Sequence, residues 1–144
     1  MIKICVFGLG YVGLPIALNI SKKFNTIGFD INKDRVNSLI KKIDTNKEFN
    51  KKDFNKLKLN FSHVLDKISD CTYYIICVPT PVNSKKKPDL TALNQTFNSL
   101  KNIIKKNDTV ILESTVYPGV TKIFGEKIQR FTNLKMNKDF FFML

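Results

Sequence analysis

The stretch IKICVFGLGYVG, residues 2–13, decides how this chain folds. Its first half, Ile2 to Phe7, is an apolar run with the β-branched residues that suit a strand covered on both faces. Its second half places Gly8, Gly10 and Gly13 in G-x-G-x-x-G spacing. Glycines recur by chance, so the spacing alone says little, and its surroundings say more. The glycines end a strand and open the helical segment Val12 to Lys23. At the end of the next strand, TIGFDI (26–31), stands Asp30, 22 residues beyond Gly8.

Each residue type in this pattern has a physical task. Gly8 permits a tight turn, Gly10 lets backbone approach a pyrophosphate with no Cβ in the way, and Gly13 allows helix to pack closely on strand. Free N–H groups at the helix start offer phosphates a partial positive charge. Asp30 would accept hydrogen bonds from the hydroxyls of an adenosine ribose, and its charge would repel a 2′-phosphate. The pattern therefore predicts NAD rather than NADP. A glycine-rich turn beside a surface aspartate is the bland alternative, and the strand-turn-helix context disfavours it.

Outward from this stretch, apolar runs of strand length alternate with helical-period segments, the order that builds a parallel sheet. NKDRVNSLIKKI (32–43) reads as a helix capped by Asn32, with Val36, Leu39, Ile40 and Ile43 on one face. Residues 44–58 are polar and carry no clear period. A short strand LNF (59–61) leads to a brief helix near 62–68, and TYYIICVP (72–79) is a buried strand stopped by proline. Residues 91–106 read as a helix, TVILEST (109–115) as a strand, and 120–131 as a helix with Ile123, Phe124 and Ile128 on one face. The expected architecture is α/β: a single-domain, Rossmann-like, doubly wound parallel sheet of about six strands with helices on both faces. Ligands of such sheets sit beyond the carboxyl ends of the strands, which is where CVPTP (77–81) and ESTVYPG (113–119) fall.

Composition narrows the function classes. The formal charge of +12 comes from 22 lysines against only Arg35 and Arg130, spread among 15 asparagines. Without clustered arginine this describes solvated faces rather than a nucleic-acid groove, and the run Lys85 to Lys87 lies in a loop. No stretch reaches the roughly 20 apolar residues of a membrane span, so no membrane partner and a cytoplasmic location are expected. Cys5, Cys71 and Cys77 lack CxxC spacing, and His63 is the single histidine, which excludes a disulfide framework, a zinc site and histidine-based triads.

FGLGYVGLP (7–15), GFDINKDRV (28–36), CVPTPV (77–82) with PDL (88–90), and ESTVYPGVT (113–121) resemble, in order and spacing, the NAD-binding N-terminal domain of the UDP-glucose/GDP-mannose dehydrogenase family. GFDIN with ESTVYPG is most similar to the branch that oxidises UDP-N-acetylhexosamines for polysaccharide synthesis. The resemblance implies NAD contacts at Gly8, Leu9, Gly10, Tyr11, Val12 and Gly13, at Asp30 and Arg35, at the loop Val78, Pro79, Thr80, Pro81 and Val82, and at Ser114. It makes Thr115 the threonine that helps to position or activate a water at the reacting carbon. The family's chemistry is a double oxidation of the sugar's C6 hydroxymethyl by two NAD molecules, through an aldehyde held by a cysteine.

Two departures matter. Lys42 stands where the family usually has a glycine. The family's lysine, asparagine, nucleophilic cysteine and aspartate belong to sequence beyond residue 144, as do the central helical region through which members dimerise and the part that binds the UDP-sugar. The closing KMNKDFFFML (135–144) resembles the next strand of the family, here expected to be an uncovered apolar edge where the chain is interrupted. The reading is the NAD-binding portion of a nucleotide-sugar 6-dehydrogenase, inactive alone. A stand-alone NAD(H)-binding or regulatory module, or another Rossmann-type dehydrogenase, are the alternatives.

Overall fold

The structure, a computed structural model, describes residues 1–144. Strands β1 (Lys3–Phe7), β2 (Asn25–Phe29), β3 (Leu59–Ser62), β4 (Tyr73–Ile76), β5 (Thr109–Leu112) and β6 (Phe141–Met143) form one sheet in the order β3-β2-β1-β4-β5-β6. All five pairings are parallel. The order turns back between β1 and β4, so the connections leave the sheet in opposite directions there and open a crevice at the strand ends.

Alternation along the strands feeds two cores. Cys5 and Phe7 of β1, with Tyr74 and Ile76 of β4, point into the larger cluster, covered by α3 (Thr91–Leu100) and α4 (Val120–Thr132). Ile4 and Val6, with Ile75, point to the other face and meet Leu14, Ala17 and Leu18 of α1 (Gly13–Ile20) and Leu39 of α2 (Lys33–Ile40). Helices therefore cover both faces, as expected of a doubly wound sheet. Phe97 of α3 stacks on Phe124 of α4 with ring centroids 4.0 Å apart. Fully buried Tyr74 donates its hydroxyl to the carbonyls of Ile68 and Cys71 and so ties the β3-to-β4 connection to the core. No helix is long and apolar enough to cross a membrane.

The expected elements are all present, but several helices are shorter. The segment 91–106 is helical only to Leu100, with Ile103 and Ile104 buried in the turn that follows. Ile40, Ile43 and Ile123, expected on apolar faces, are exposed. For Ile43 the reason is the early end of α2, which closes at Ile40. Ile43 N–H donates to Ser38 O and Lys42 N–H to Leu39 O, both at 2.9 Å, the paired bonds of a Schellman stop, with Lys42 left-handed at φ 59°. Lysine thus occupies the position that favours glycine, and the backbone keeps the glycine geometry. The apolar edge β6 is also better covered than expected. Phe140 is fully buried and Phe142 stacks on Phe97 at 5.5 Å, leaving Phe141 and Met143 exposed on the outer side.

Residues 44–58 are ordered by carboxylates. Asp44 accepts backbone N–H bonds from Asn46, Glu48 and Phe49, and Asn50 with Asp53 closes a capping box over the 3-10 turn Lys51–Phe54. Phe54 from that turn enters the smaller core. Replacing Lys42 by glycine should relieve the left-handed strain and stabilise the fold by about 1 kcal/mol, net of the extra unfolded-state entropy. The expected outcome is a melting temperature about 3–5 °C higher.

Candidate dinucleotide site

The β1-to-α1 turn is shaped by two close contacts. Gly8 has φ +88°, a conformation that L side chains rarely adopt, and its N–H donates to Phe29 O at 2.8 Å, tying the turn to the end of β2. A Cβ on Gly13 would lie 1.7 Å from Gly8 O, so α1 starts in contact with the backbone of the turn. Gly10, by contrast, has nothing within 4 Å of where its Cβ would be. Tyr11 and Val12 are exposed beside it, and no side chain caps α1. The N–H groups at the helix start are therefore not taken by a neighbouring side chain.

Asp30 follows β2 directly. Its Oδ2 accepts from Leu9 N–H at 2.8 Å and its Oδ1 from Asn32 N–H at 2.9 Å. Each oxygen keeps further acceptor capacity for a hydroxyl. Asn32 caps α2, its side chain accepting from Arg35 N–H, and Arg35 Nε donates back to Leu9 O at 2.9 Å. Leu9, Asp30, Asn32 and Arg35 therefore close a ring of hydrogen bonds around the turn. Arg35 Nη1 leaves the ring to reach Asp44 Oδ1 at 2.7 Å and Thr45 Oγ1 at 2.8 Å.

The loops after β4 and β5 are stapled across the crevice. Ser114 Oγ donates to Val78 O at 2.6 Å, and Thr80 Oγ1 donates to Thr115 O at 2.5 Å. These loops and the glycine turn enclose one cleft of ≈ 750 Å³. From the turn come Gly8, Leu9, Gly10, Tyr11 and Val12. From the strand ends come Asp30, Val78, Pro79, Thr80, Pro81, Ser114 and Thr115. Gly13 is set behind the turn, and Arg35 lines an adjoining pocket of ≈ 430 Å³ that shares Leu9, Gly10, Tyr11 and Asp30. Val82 stands in the bridge Val82 to Pro88.

Sequence reasoning missed Ala92, Gln95 and Thr96, which α3 presents to the cleft at helical spacing, and Glu113 at the end of β5. The i, i+3, i+4 pattern of polar and small residues on α3 was the available signal. It missed Asp44 because nothing local singles that residue out. Among the cysteines, burial pushes the Cys71 thiol up to about 11 and the Cys77 thiol up to about 12, and raises buried Cys5 as well. None of the three is poised as a thiolate.

A strand, a glycine turn jammed against a helix start and an acid after the second strand define a dinucleotide-binding domain, and the open Gly10 surface fits a pyrophosphate. Residues 2–142 match the NAD binding domain model of the UDP-glucose/GDP-mannose dehydrogenase family, and the chain belongs to that family. It is 39% identical over 142 residues to a UDP-N-acetyl-D-glucosamine 6-dehydrogenase of Salmonella typhi, covering 97% of this chain and 33% of the relative. It is 41% identical to the Pseudomonas aeruginosa protein of the same name, with 97% and 34% covered. A solved UDP-D-ManNAc dehydrogenase from Pyrococcus horikoshii superposes with a TM-score of 0.91 at 26% identity, over 98% of this chain and 35% of that one. The chain thus spans about a third of the length of these relatives. The cofactor is NAD, as the family's NAD binding domain model states.

Two substitutions separate folding from binding. Gly13→Ala should cost about 3 kcal/mol or more, because the clash is with backbone that cannot turn aside. Gly10→Ala should stay within about 0.5 kcal/mol of the wild type in urea unfolding, yet weaken NADH roughly tenfold or more by standing off the pyrophosphate. The pH dependence of Asp44 offers a further check. Burial raises its carboxyl, but the Arg35 guanidinium and the N–H groups of Asn46, Glu48 and Phe49 outweigh that and hold it below its ordinary 3.8. Folding therefore favours the charged form, and the stability it contributes is present above pH 3.8 and lost as pH falls through the lowered value. The deficit of Asp44→Asn against wild type in urea midpoints should shrink in that acid window.

Proposed function

We propose that this domain is the cofactor-binding part of an enzyme that oxidises the C6 hydroxymethyl of a UDP-N-acetylhexosamine to the uronate for surface polysaccharide synthesis. The observation that carries the reading is the single cleft that joins the glycine turn, Asp30 and the Ser114–Thr115 loop, in a chain similar to UDP-N-acetyl-D-glucosamine 6-dehydrogenases.

Bound NAD supplies a hydride acceptor. The protein's own residues give it place and orientation. The turn at Gly8 to Val12 and the uncapped start of α1 receive the pyrophosphate, and Asp30 holds the ribose hydroxyls of the adenosine half. The loop from Val78 to Pro81 and Ser114 line the far half, where the staple to Val78 fixes Ser114. Thr115 is exposed at the mouth of the same cleft, and its side chain is free because Thr80 takes its carbonyl rather than its hydroxyl. That placement suits a residue that orients a water at the reacting carbon. The buried, raised thiols of Cys5, Cys71 and Cys77 leave the covalent step to a residue outside these 144.

The purified chain should bind NADH, read by nicotinamide fluorescence, and Asp30→Ala should weaken it roughly tenfold or more, the worth of a charge-assisted hydrogen bond. With NAD and UDP-N-acetylglucosamine together it should form no NADH above background. Turnover by the chain alone, or NADH binding indifferent to Asp30, would overturn this reading.

A further inference from the structure

Asp30 by itself does not settle which dinucleotide this site accepts. A carboxylate beside the ribose repels a 2′-phosphate, but an arginine nearby is the group that accommodates one. Arg35 is such an arginine. It is the only cationic side chain lining the ≈ 430 Å³ pocket next to Asp30, which it shares with Asp34, Asn32, Ser38 and Thr45. Left unpaired, its planar fork would meet a phosphate bidentately.

The structure shows where that fork is used. A guanidinium has two edges that can grip a phosphate with two nitrogens, Nη1 with Nη2 and Nε with Nη2. Here Nε is bonded to Leu9 O and Nη1 to Asp44 and Thr45, so neither edge is free. As Asp44 holds the side chain, Nη2 is buried without a hydrogen-bond partner, so in this orientation the fork does not face the pocket. Asp44, whose side chain is fully buried, is held in place by three backbone N–H groups and pairs with Arg35 at 2.7 Å. The pair cancels the one positive charge of the pocket and leaves Asp30 and Asp34 to set its sign.

We propose that Asp44 is a specificity-determining residue: by occupying and neutralising Arg35 it removes the partner that a 2′-phosphate would need, and so makes the domain select NAD against NADP. Asp30 is then only half of the discrimination. The other half lies in the 44–49 loop, fourteen positions along the chain from the acid that reads the ribose.

This inference rests on the cofactor reading above, and the experiment keeps the two apart. Dissociation constants for NADH and NADPH are measured by nicotinamide fluorescence on the full chain, and the quantity read is the ratio Kd(NADPH)/Kd(NADH). The wild type should favour NADH by about tenfold or more. Asp44→Asn, which keeps one acceptor oxygen for the Glu48 and Phe49 N–H groups and replaces the other, with its charge, by an NH2 that cannot accept from Arg35, should lower the ratio about tenfold by freeing Arg35, and Asp44→Ser should act the same way. The double variant Arg35→Gln/Asp44→Asn, which removes both charges together, should return the ratio to within about threefold of wild type. An Asp44 role in packing alone would weaken both dinucleotides together and leave the ratio where it was, which overturns the proposal. So does a wild type that binds NADPH as tightly as NADH, or a double variant whose ratio rises about tenfold, since Arg35 would then already be reading the phosphate. A wild type that binds neither dinucleotide overturns the cofactor reading itself.

Discussion

The contact between the start of α1 and the end of β1 is the constraint on which the rest of the molecule depends. With hydrogen in place of a side chain at Gly13, the helix lies against Gly8 O, where a Cβ would be only 1.7 Å away. That approach fixes the direction in which α1 leaves the sheet. Leu14, Ala17 and Leu18 then fall onto Ile4 and Val6, and the smaller core is assembled. It also leaves Gly10 and Tyr11 standing over the crevice, with backbone that a ligand can approach. Packing and binding therefore follow from one steric fact.

Around that contact the site is held by short polar links, some local and some between segments far apart in sequence. Leu9 reaches Asp30, Asn32 reaches both Asp30 and Arg35, and Arg35 returns to Leu9, so the Asp30 carboxylate is oriented before any ligand arrives. On the other side of the crevice, Ser114 and Thr80 tie the β4 and β5 loops together. Pre-ordered groups lose less conformational entropy on binding, which is the usual advantage of fixing a site in the free protein. The same residues thus serve twice: Ser114 and Thr80 line the cleft and also set its width.

The limits of local reading are visible at particular residues. Ile40, Ile43 and Ile123 carry the right chemistry at the right period for a buried face, yet they are exposed. The period reports which residues could share a face, whereas how much of that face meets the sheet, and where the helix stops, are set by packing and by the cap. At α2 the stop is made by Lys42, a residue with no reputation for stopping helices, because the Schellman bonds to Leu39 and Ser38 outweigh the cost of its left-handed backbone. The 44–58 segment offered no period at all. Its order comes from Asp44 and the Asn50–Asp53 box, side chains that bond to backbone and leave no periodic trace.

By itself the sequence determined the fold class, the glycine turn, the acid that follows β2 and the family, because each of these is written in residues close together: a strand period, three glycines at fixed offsets, an aspartate at a strand end. It also named most residues of the cleft, since strand ends of a parallel sheet must open on the same side. Only the tertiary structure decided what those residues do to one another. That Arg35 is spent on Asp44 depends on how the loop after α2 folds back, and that Ser114 and Thr80 act as staples and α3 contributes Gln95 and Thr96 to the cleft depends on contacts between distant segments. Hydrogen bonds need about 3 Å and a direction, and no spacing along a chain can supply either across a fold.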